Sequence, residues 1–319
     1  MLLDYQKKLT AVAVVATCVA GMLIAPCEAS ARVNSRQSTI AVDGSQFLIQ
    51  IKDGDLNVSS EEVKTYVRDA ARAVVAYYGK FPVQKTIVAI APTNDDGVGF
   101  ATSTHEDAGG YGLIEIDIGA YANRGDLETS WTLTHEMMHL AFPILTRRHR
   151  WLAEGIATYI EPIGRMRIGK VSREEVWGDL ADNLQKGLPS SGDAGGLNSA
   201  RGYGRIYWGG ALYCLVADVQ IRKRTNNRRG LEQALRAIAN EGGTAASDWS
   251  TQKTLRVGDA AIRAQVLENL FDEMADAPKT VDIRQLLREL GVRRQGRATI
   301  FDDQAPLAHI RKSIEGLAI

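Results

Sequence analysis

Two histidines and a glutamate fall in one short segment, Thr134-His135-Glu136-Met137-Met138-His139-Leu140. In a helix, residues four apart lie one above the other on a single face, so the imidazoles of His135 and His139 can reach one cation. A catalytic zinc ion takes three protein ligands, with nitrogen at about 2.0–2.1 Å, and keeps a further position for water. Glu136 projects from nearly the same face as His135. It can take a proton from that water without occupying a coordination position. The spacing therefore points to hydrolysis by a metal-activated water. An amphipathic helix with no metal could carry the same residue types, but the chain has only five histidines, which makes the pattern specific.

A third ligand is needed. Trp151-Leu152-Ala153-Glu154-Gly155-Ile156-Ala157-Thr158-Tyr159 places a carboxylate on the next helical segment, and two histidines with one glutamate form a catalytic zinc set. Gly155 beside it would let two helices approach closely. His149 competes for the role. The arrangement that uses a late histidine needs a glycine and a histidine where this chain has Phe142 and Leu145, so Glu154 is preferred. The expected metal set is His135, His139 and Glu154 around one Zn2+ ion.

With both segments in view, the chain resembles the gluzincin metallopeptidases. The closest type is the catalytic domain of aminopeptidase N and glycyl aminopeptidase. The resemblance covers roughly residues 87–218. It implies a thermolysin-like α+β architecture and peptide-bond hydrolysis with Glu136 as general base. Enzymes of this type carry a downstream helix beginning Tyr-x-Lys-Gly, whose tyrosine steadies the tetrahedral oxyanion. Tyr207-Trp208-Gly209-Gly210-Ala211-Leu212 is similar, so the resemblance implies Tyr207 in that role, with Tyr203 as the alternate. Three features depart from the type. Gly209 stands in place of the lysine. The separation of His139 from Glu154 is shorter than usual. The Gly-Ala-Met-Glu-Asn strand that captures a free amine is absent. Leu113 to Ile118 stands where such a strand would be, and its backbone could pair with an extended peptide, while Glu115 or Asp117 could hold an amine. Exopeptidase and endopeptidase action both stay open.

The elements that must position these residues are legible from periodicity. Phe47 to Ile51 alternates as a strand. Ser59 and Glu62 have capping-box spacing ahead of a helix whose face is Val63, Tyr66, Val67, Ala70 and Val74, stopped by Gly79. Thr86 to Ala91 reads as an apolar strand ended by Pro92, followed by a loop from Thr93 to Gly99. Leu113 to Ile118 alternates strictly, with Ile114, Ile116 and Ile118 on the apolar face. Asp126 is the expected N-cap of a helix that runs through both histidines until Pro143. The next helix is expected from about Trp151 to Pro162, and a third from Ser172, with Glu175 in capping-box register. A loop covers Leu188 to Ala200. Helices follow at about Tyr207–Lys223, Leu231–Asn240, Ala260–Met274 and Val281–Leu290, then a short strand at Ala298–Phe301 and a helix at Pro306–Ile314. Strands come first and helices second, which predicts an α+β fold. In it a small N-terminal mixed sheet with helices precedes a mainly helical C-terminal lobe, with the site between them.

Lys7 and Lys8 precede an apolar run from Leu9 to Ala25, and Ala29-Ser30-Ala31 offers a cleavage site. Residues 1–31 therefore read as a signal peptide, with an uncleaved anchor as the alternative. The mature chain then divides into an α/β part at 32–165, carrying the zinc-binding helices, and a helical lobe at 166–319. A pro-segment between Arg32 and Thr39 is possible on sequence. The 319 residues are 45% apolar and 24% charged, with 38 basic against 38 acidic side chains. That balance gives no argument for nucleic acid or for an anionic membrane. Cys214 is the one cysteine left after signal removal and reads as a small buried apolar residue.

The leading expectation is an exported zinc peptidase, periplasmic or extracellular, acting on peptides or proteins with no stable membrane insertion after processing. The alternative is an exported, non-catalytic binding protein with a degenerate gluzincin site. The sequence does not indicate an oligomeric state.

Overall fold

Residues 36–317, apart from 191 and 193, are described by the computed structural model. The signal peptide expected at 1–31 lies outside them, as do Cys18 and Cys27. From Ser35 onward the chain forms one unit.

Strands β1 (Arg36–Val42) and β2 (Ser45–Ile51) pair through a two-residue turn. Asp43 and Gly44 both have positive φ, at 50° and 81°, as the tight hairpin turn between right-twisted strands requires. β1 was not expected, and it covers part of the segment read as a possible pro-segment. Its inner face, Ile40 and Val42, is buried against the sheet. Helix α1 (Ser60–Tyr78) has the predicted Ser59–Glu62 capping box and ends on Gly79 at φ 83°. β3 (Lys85–Thr93) runs through Pro92 instead of stopping there.

β4 (Val98–Glu106) and β5 (Tyr111–Gly119) complete a five-stranded mixed sheet in the order β1-β2-β3-β5-β4. β2, β3 and β5 are parallel neighbours, and β4 returns antiparallel on β5. β4 is a second strand that the sequence reading did not assign; the loop expected at Thr93–Gly99 overlaps only its start. It corrects an expectation about β5: Leu113–Ile118 lies between β3 and β4, so both of its edges are taken. The free edge of the sheet beyond β5 belongs to β4. Ile114, Ile116 and Ile118 form the buried face of β5 as expected.

The helix expected from Asp126 through both histidines is two helices. Asn123 caps α2 (Arg124–Thr129), with Asp126 as its capping-box partner. Ser130 is extended, at φ −65° and ψ 132°, and α3 (Thr132–His139) follows. The break is held from outside. The Tyr66 hydroxyl bonds Ser130 Oγ at 2.9 Å and accepts from the Leu133 amide at 3.2 Å.

α4 (Arg150–Arg167) contains Pro162 in its interior and does not end there, because Ile160 and Ile163 on either side are buried in the core. The domain boundary expected at residue 165 falls within this helix. α5 (Arg173–Asn183) starts at the Ser172–Glu175 capping box. A π-turn, Gly204–Trp208, leads into α6 (Gly209–Arg224).

Helices at Leu231–Asn240, Thr251–Ile262, Leu267–Ala275, Ile283–Glu289 and Ala308–Glu315 follow, with a small hairpin at Val292–Gln295 and Ala298–Phe301. The single helix expected at Ala260–Met274 is interrupted where Arg263 adopts φ 54°. Cys214 is fully buried. Among the described residues, no helix is long and apolar enough to cross a membrane. The architecture is an N-terminal mixed sheet with helices followed by a mainly helical C-terminal part.

Candidate active site

Two consecutive helices build the site. α3 carries His135 and His139 one turn apart, and α4 brings Glu154 across to them. His135 Nε2 and His139 Nε2 stand 3.2 Å apart, and Glu154 Oε2 is 3.4 Å from each. Three donors about 2.0–2.1 Å from one ion at tetrahedral angles would stand about 3.3 Å apart. The observed triangle has that size, so these three residues fit a zinc-sized ion. His135, Glu136 and His139 also lie within 4.8 Å of one another, but that is a looser set, and Glu136 has a different partner. We take the tighter triangle as the candidate ligand set.

The electrostatics agree. Burial opposes ionisation of Glu154, but the hydrogen bonds and charges of His135 and His139 outweigh it and hold the carboxyl well below the usual carboxylate range. Burial likewise opposes a charged His139. The hydrogen bond and charge of Glu154, with the charge of Glu136, overcome it and raise that imidazole to about 9. A cluster that draws a proton in to offset its negative charge is one where a cation is favoured, because a metal and a proton compete for the same lone pairs.

α4 can come this close because of glycine. A Cβ on Gly155 would meet the Gly210 backbone at 2.2 Å, and one on Gly210 would meet the Trp151 carbonyl oxygen at 2.1 Å. The helix carrying Glu154 and the helix following Tyr207 therefore cross with backbones touching. This accounts for Gly155 as the sequence suggested, and for Gly210. At Gly209, where the resembling type has lysine, a Cβ would lie 2.5 Å from Leu197. A longer side chain there would require the Leu197 methyl to move.

Aromatic rings wall the cluster. Trp131, just ahead of α3, meets His135 edge-on at 5.2 Å between centroids. Tyr207 stacks on His135 at 6.0 Å and 18°, and Tyr203 stacks on Tyr207 at 4.3 Å and 25°. Tyr207 lies within the π-turn, a local widening common at functional sites. Both candidate tyrosines are thus on the side of the triangle, with Tyr207 against His135 and Tyr203 behind it.

His149 is elsewhere. Its Nδ1 hydrogen-bonds Thr251 Oγ1 at 2.6 Å, and its ring meets Phe271 edge-on. Burial, followed by the charge of Arg148, pushes its pKa down. Glu115 is also directed away, paired with Lys52 at 3.0 Å, so it does not serve as the amine-holding group considered from sequence.

Sequence reasoning missed Ser103. It lies on β4, and its hydroxyl donates to Glu136 Oε2 at 2.7 Å. A signal for the strand was present: Thr102 and Thr104 are β-branched, and the turn at Gly109-Gly110 precedes a clear strand, as in a hairpin.

No protein-family model and no curated protein matches the sequence. Solved structures do match in fold. An aminopeptidase N family protein from Idiomarina loihiensis superposes with a TM-score of 0.61 at 13% identity, over 81% of this chain and 49% of that one. An E323A mutant of an M1 zinc metallopeptidase from Deinococcus radiodurans gives 0.50 at 17% identity, over 79% of this chain and 54% of that one. The chain thus spans about half the length of the structures it matches. At these identities the likeness is one of architecture: over four-fifths of its length, the chain has the fold of the aminopeptidase N family structure.

Proposed function

We propose that the chain is a zinc-dependent peptidase that hydrolyses peptide bonds outside the cytoplasm, with Glu136 as its general base. The observation that carries this reading is the triangle of His135, His139 and Glu154, which has the donor types and spacing of a catalytic zinc site. The fold shared with structures named as zinc metallopeptidases supports it, and a thermolysin-like division is part of the reading. Residues 32–165 supply the metal ligands, residues 166–319 supply the tyrosines, and substrate lies between.

In this reading, His135, His139 and Glu154 hold one Zn2+ ion, which supplies Lewis acidity toward the scissile carbonyl and makes water a stronger acid near neutral pH. Glu136 accepts the proton of the attacking water and returns it to the leaving amine nitrogen. Tyr207 donates its phenolic hydrogen to the carbonyl oxygen as negative charge develops there, with Tyr203 as the alternate donor. The free edge of β4 offers backbone groups to an extended peptide, the part first assigned to β5. Export rests on Lys7, Lys8, the Leu9–Ala25 run and Ala29-Ser30-Ala31.

The test is Glu136→Gln. Elemental analysis should still find one zinc per chain, while profiling of a peptide mixture by mass spectrometry finds no cleavage. The wild type should cut the same mixture and stop when a chelator is added. A Glu136→Gln protein with full activity would overturn the assignment. The cut positions in the wild-type profile distinguish terminal from internal cleavage.

A further inference from the structure

The register of β4 on β5 decides which side chain of the edge strand faces the histidine helix. Ser103 lies opposite Ile114, and Thr102 opposite Glu115. Directly paired residues share a face of the sheet. Ile114 is wholly buried on the inner face, whereas Glu115 pairs with Lys52 on the outer one. Ser103 is therefore turned inward, and Thr102 and Thr104 are exposed. A slip of one residue would exchange these faces. The inward hydroxyl meets Glu136 Oε2 at 2.7 Å, the distance of a hydroxyl donating to a carboxylate.

We propose that Ser103 is a positioning residue for Glu136: its hydroxyl binds one carboxylate oxygen and leaves the other to take the proton of the attacking water. The inference rests on the reading of Glu136 as general base. A glutamate carboxylate swings on several torsions, and fixing it costs conformational entropy. A serine on a strand is a short, stiff anchor, so that cost is met during folding and not in each catalytic cycle. Ser103 reaches Glu136 from β4, whereas the metal triangle is built by α3 and α4, so its contact is with the base. Its place on the free-edge strand means that one element would orient both the base and a peptide paired along that edge.

The experiment compares Ser103→Ala and Ser103→Thr with the wild type in three readouts. These are zinc content, steady-state kinetics on a peptide cut by the wild type, and crystal structures of the metal-free and zinc-loaded proteins. In Ser103→Ala, kcat should fall by about 10–100-fold, the usual range for an outer partner of a reacting site. KM and zinc content should stay as in the wild type, and the Glu136 carboxylate should leave its position in the crystal. Ser103→Thr keeps the hydroxyl in a strand-favouring residue and should recover most of the activity and the carboxylate position. Wild-type kcat in Ser103→Ala with Glu136 unmoved would overturn the proposal. So would equal losses in both variants accompanied by loss of zinc, since that marks a structural role. A wild type without chelator-sensitive cleavage would fail the peptidase reading instead. The crystallographic displacement of Glu136 would then still decide the positioning contact.

Discussion

The two sides of helix α3 are held in different ways. On the side facing α4, placement is over-determined. Gly155 and Gly210 fix the helix crossing by backbone contact. Arg165 reaches from α4 to the carbonyls of Glu128 and Thr129 at 3.2 Å, just before α3 begins, while pairing with the buried Glu161. Tyr66 clamps the start of α3. On the side facing β4, the carboxylate of Glu136 is held by the Ser103 hydroxyl, from a strand bonded to the sheet along one edge only. Metal ligands must hold one geometry whether or not substrate is present. A proton-transferring group needs its orientation fixed but must keep one oxygen free. The contrast in anchoring matches the difference in task that the proposed function gives the two sides.

The strongest way to break the contrast is Arg165→Ala. Removing one partner of a buried ion pair costs at most about 3–5 kcal/mol, the upper figure applying where Glu161 stays charged and a smaller one where it takes up a proton. It also releases the two carbonyls ahead of α3. Denaturant unfolding should show the loss, and zinc affinity should fall with it. Next is Tyr207→Phe. If the phenol donates to the oxyanion, kcat should fall by about 10²–10³-fold with zinc retained, and Tyr203→Phe should cost far less. The reverse ranking would move the role to Tyr203.

Gly155→Ala comes third. Overpacking against the Gly210 backbone should cost about 1–3 kcal/mol and loosen the metal site, read as faster zinc loss to a chelator.

The last prediction is a pH slope. Burial, against the charge and hydrogen bond of Arg165, raises the Glu161 carboxyl from 4.5 to about 7. The folded chain then keeps that proton to higher pH than the unfolded chain does. Its stabilising contribution is complete below about pH 4.5 and is lost as pH rises through about 7. Unfolding midpoints measured across that window should fall more steeply in wild type than in Glu161→Gln. Parallel curves would remove Glu161 from the account.

The parts legible in sequence are those where one helix period or one cap decides the outcome. His135 and His139 could be placed together because the spacing and the helix pitch coincide, and Ser59–Glu62 and Ser172–Glu175 were capping boxes on sight. Where distant residues decide, the sequence was silent or misleading. Asp126 looked like a cap, but Asn123 takes that place, and the break at Ser130 depends on Tyr66, far away in the chain. Pro162 looked like a helix end because local chemistry argues so, yet burial of its neighbours carries α4 past it. β4 escaped because Ala101 is its one fully buried position, which leaves no apolar alternation to read. Ser103 was hidden for the same reason, since its partner was assignable only once the strand was.

The Gly155–Gly210 contact has a mechanical consequence. With no side chains between them to rearrange, the two helices have no compliant layer at their crossing, and Glu154 and Tyr207 must travel as parts of one stiff body. Any change in their distance from Ser103 has to be taken up on the other side of α3, by the strand at the edge of the sheet. A substitution at the crossing would therefore shift Glu154 and Tyr207 together, whereas one within residues 98–106 would shift Ser103 without them.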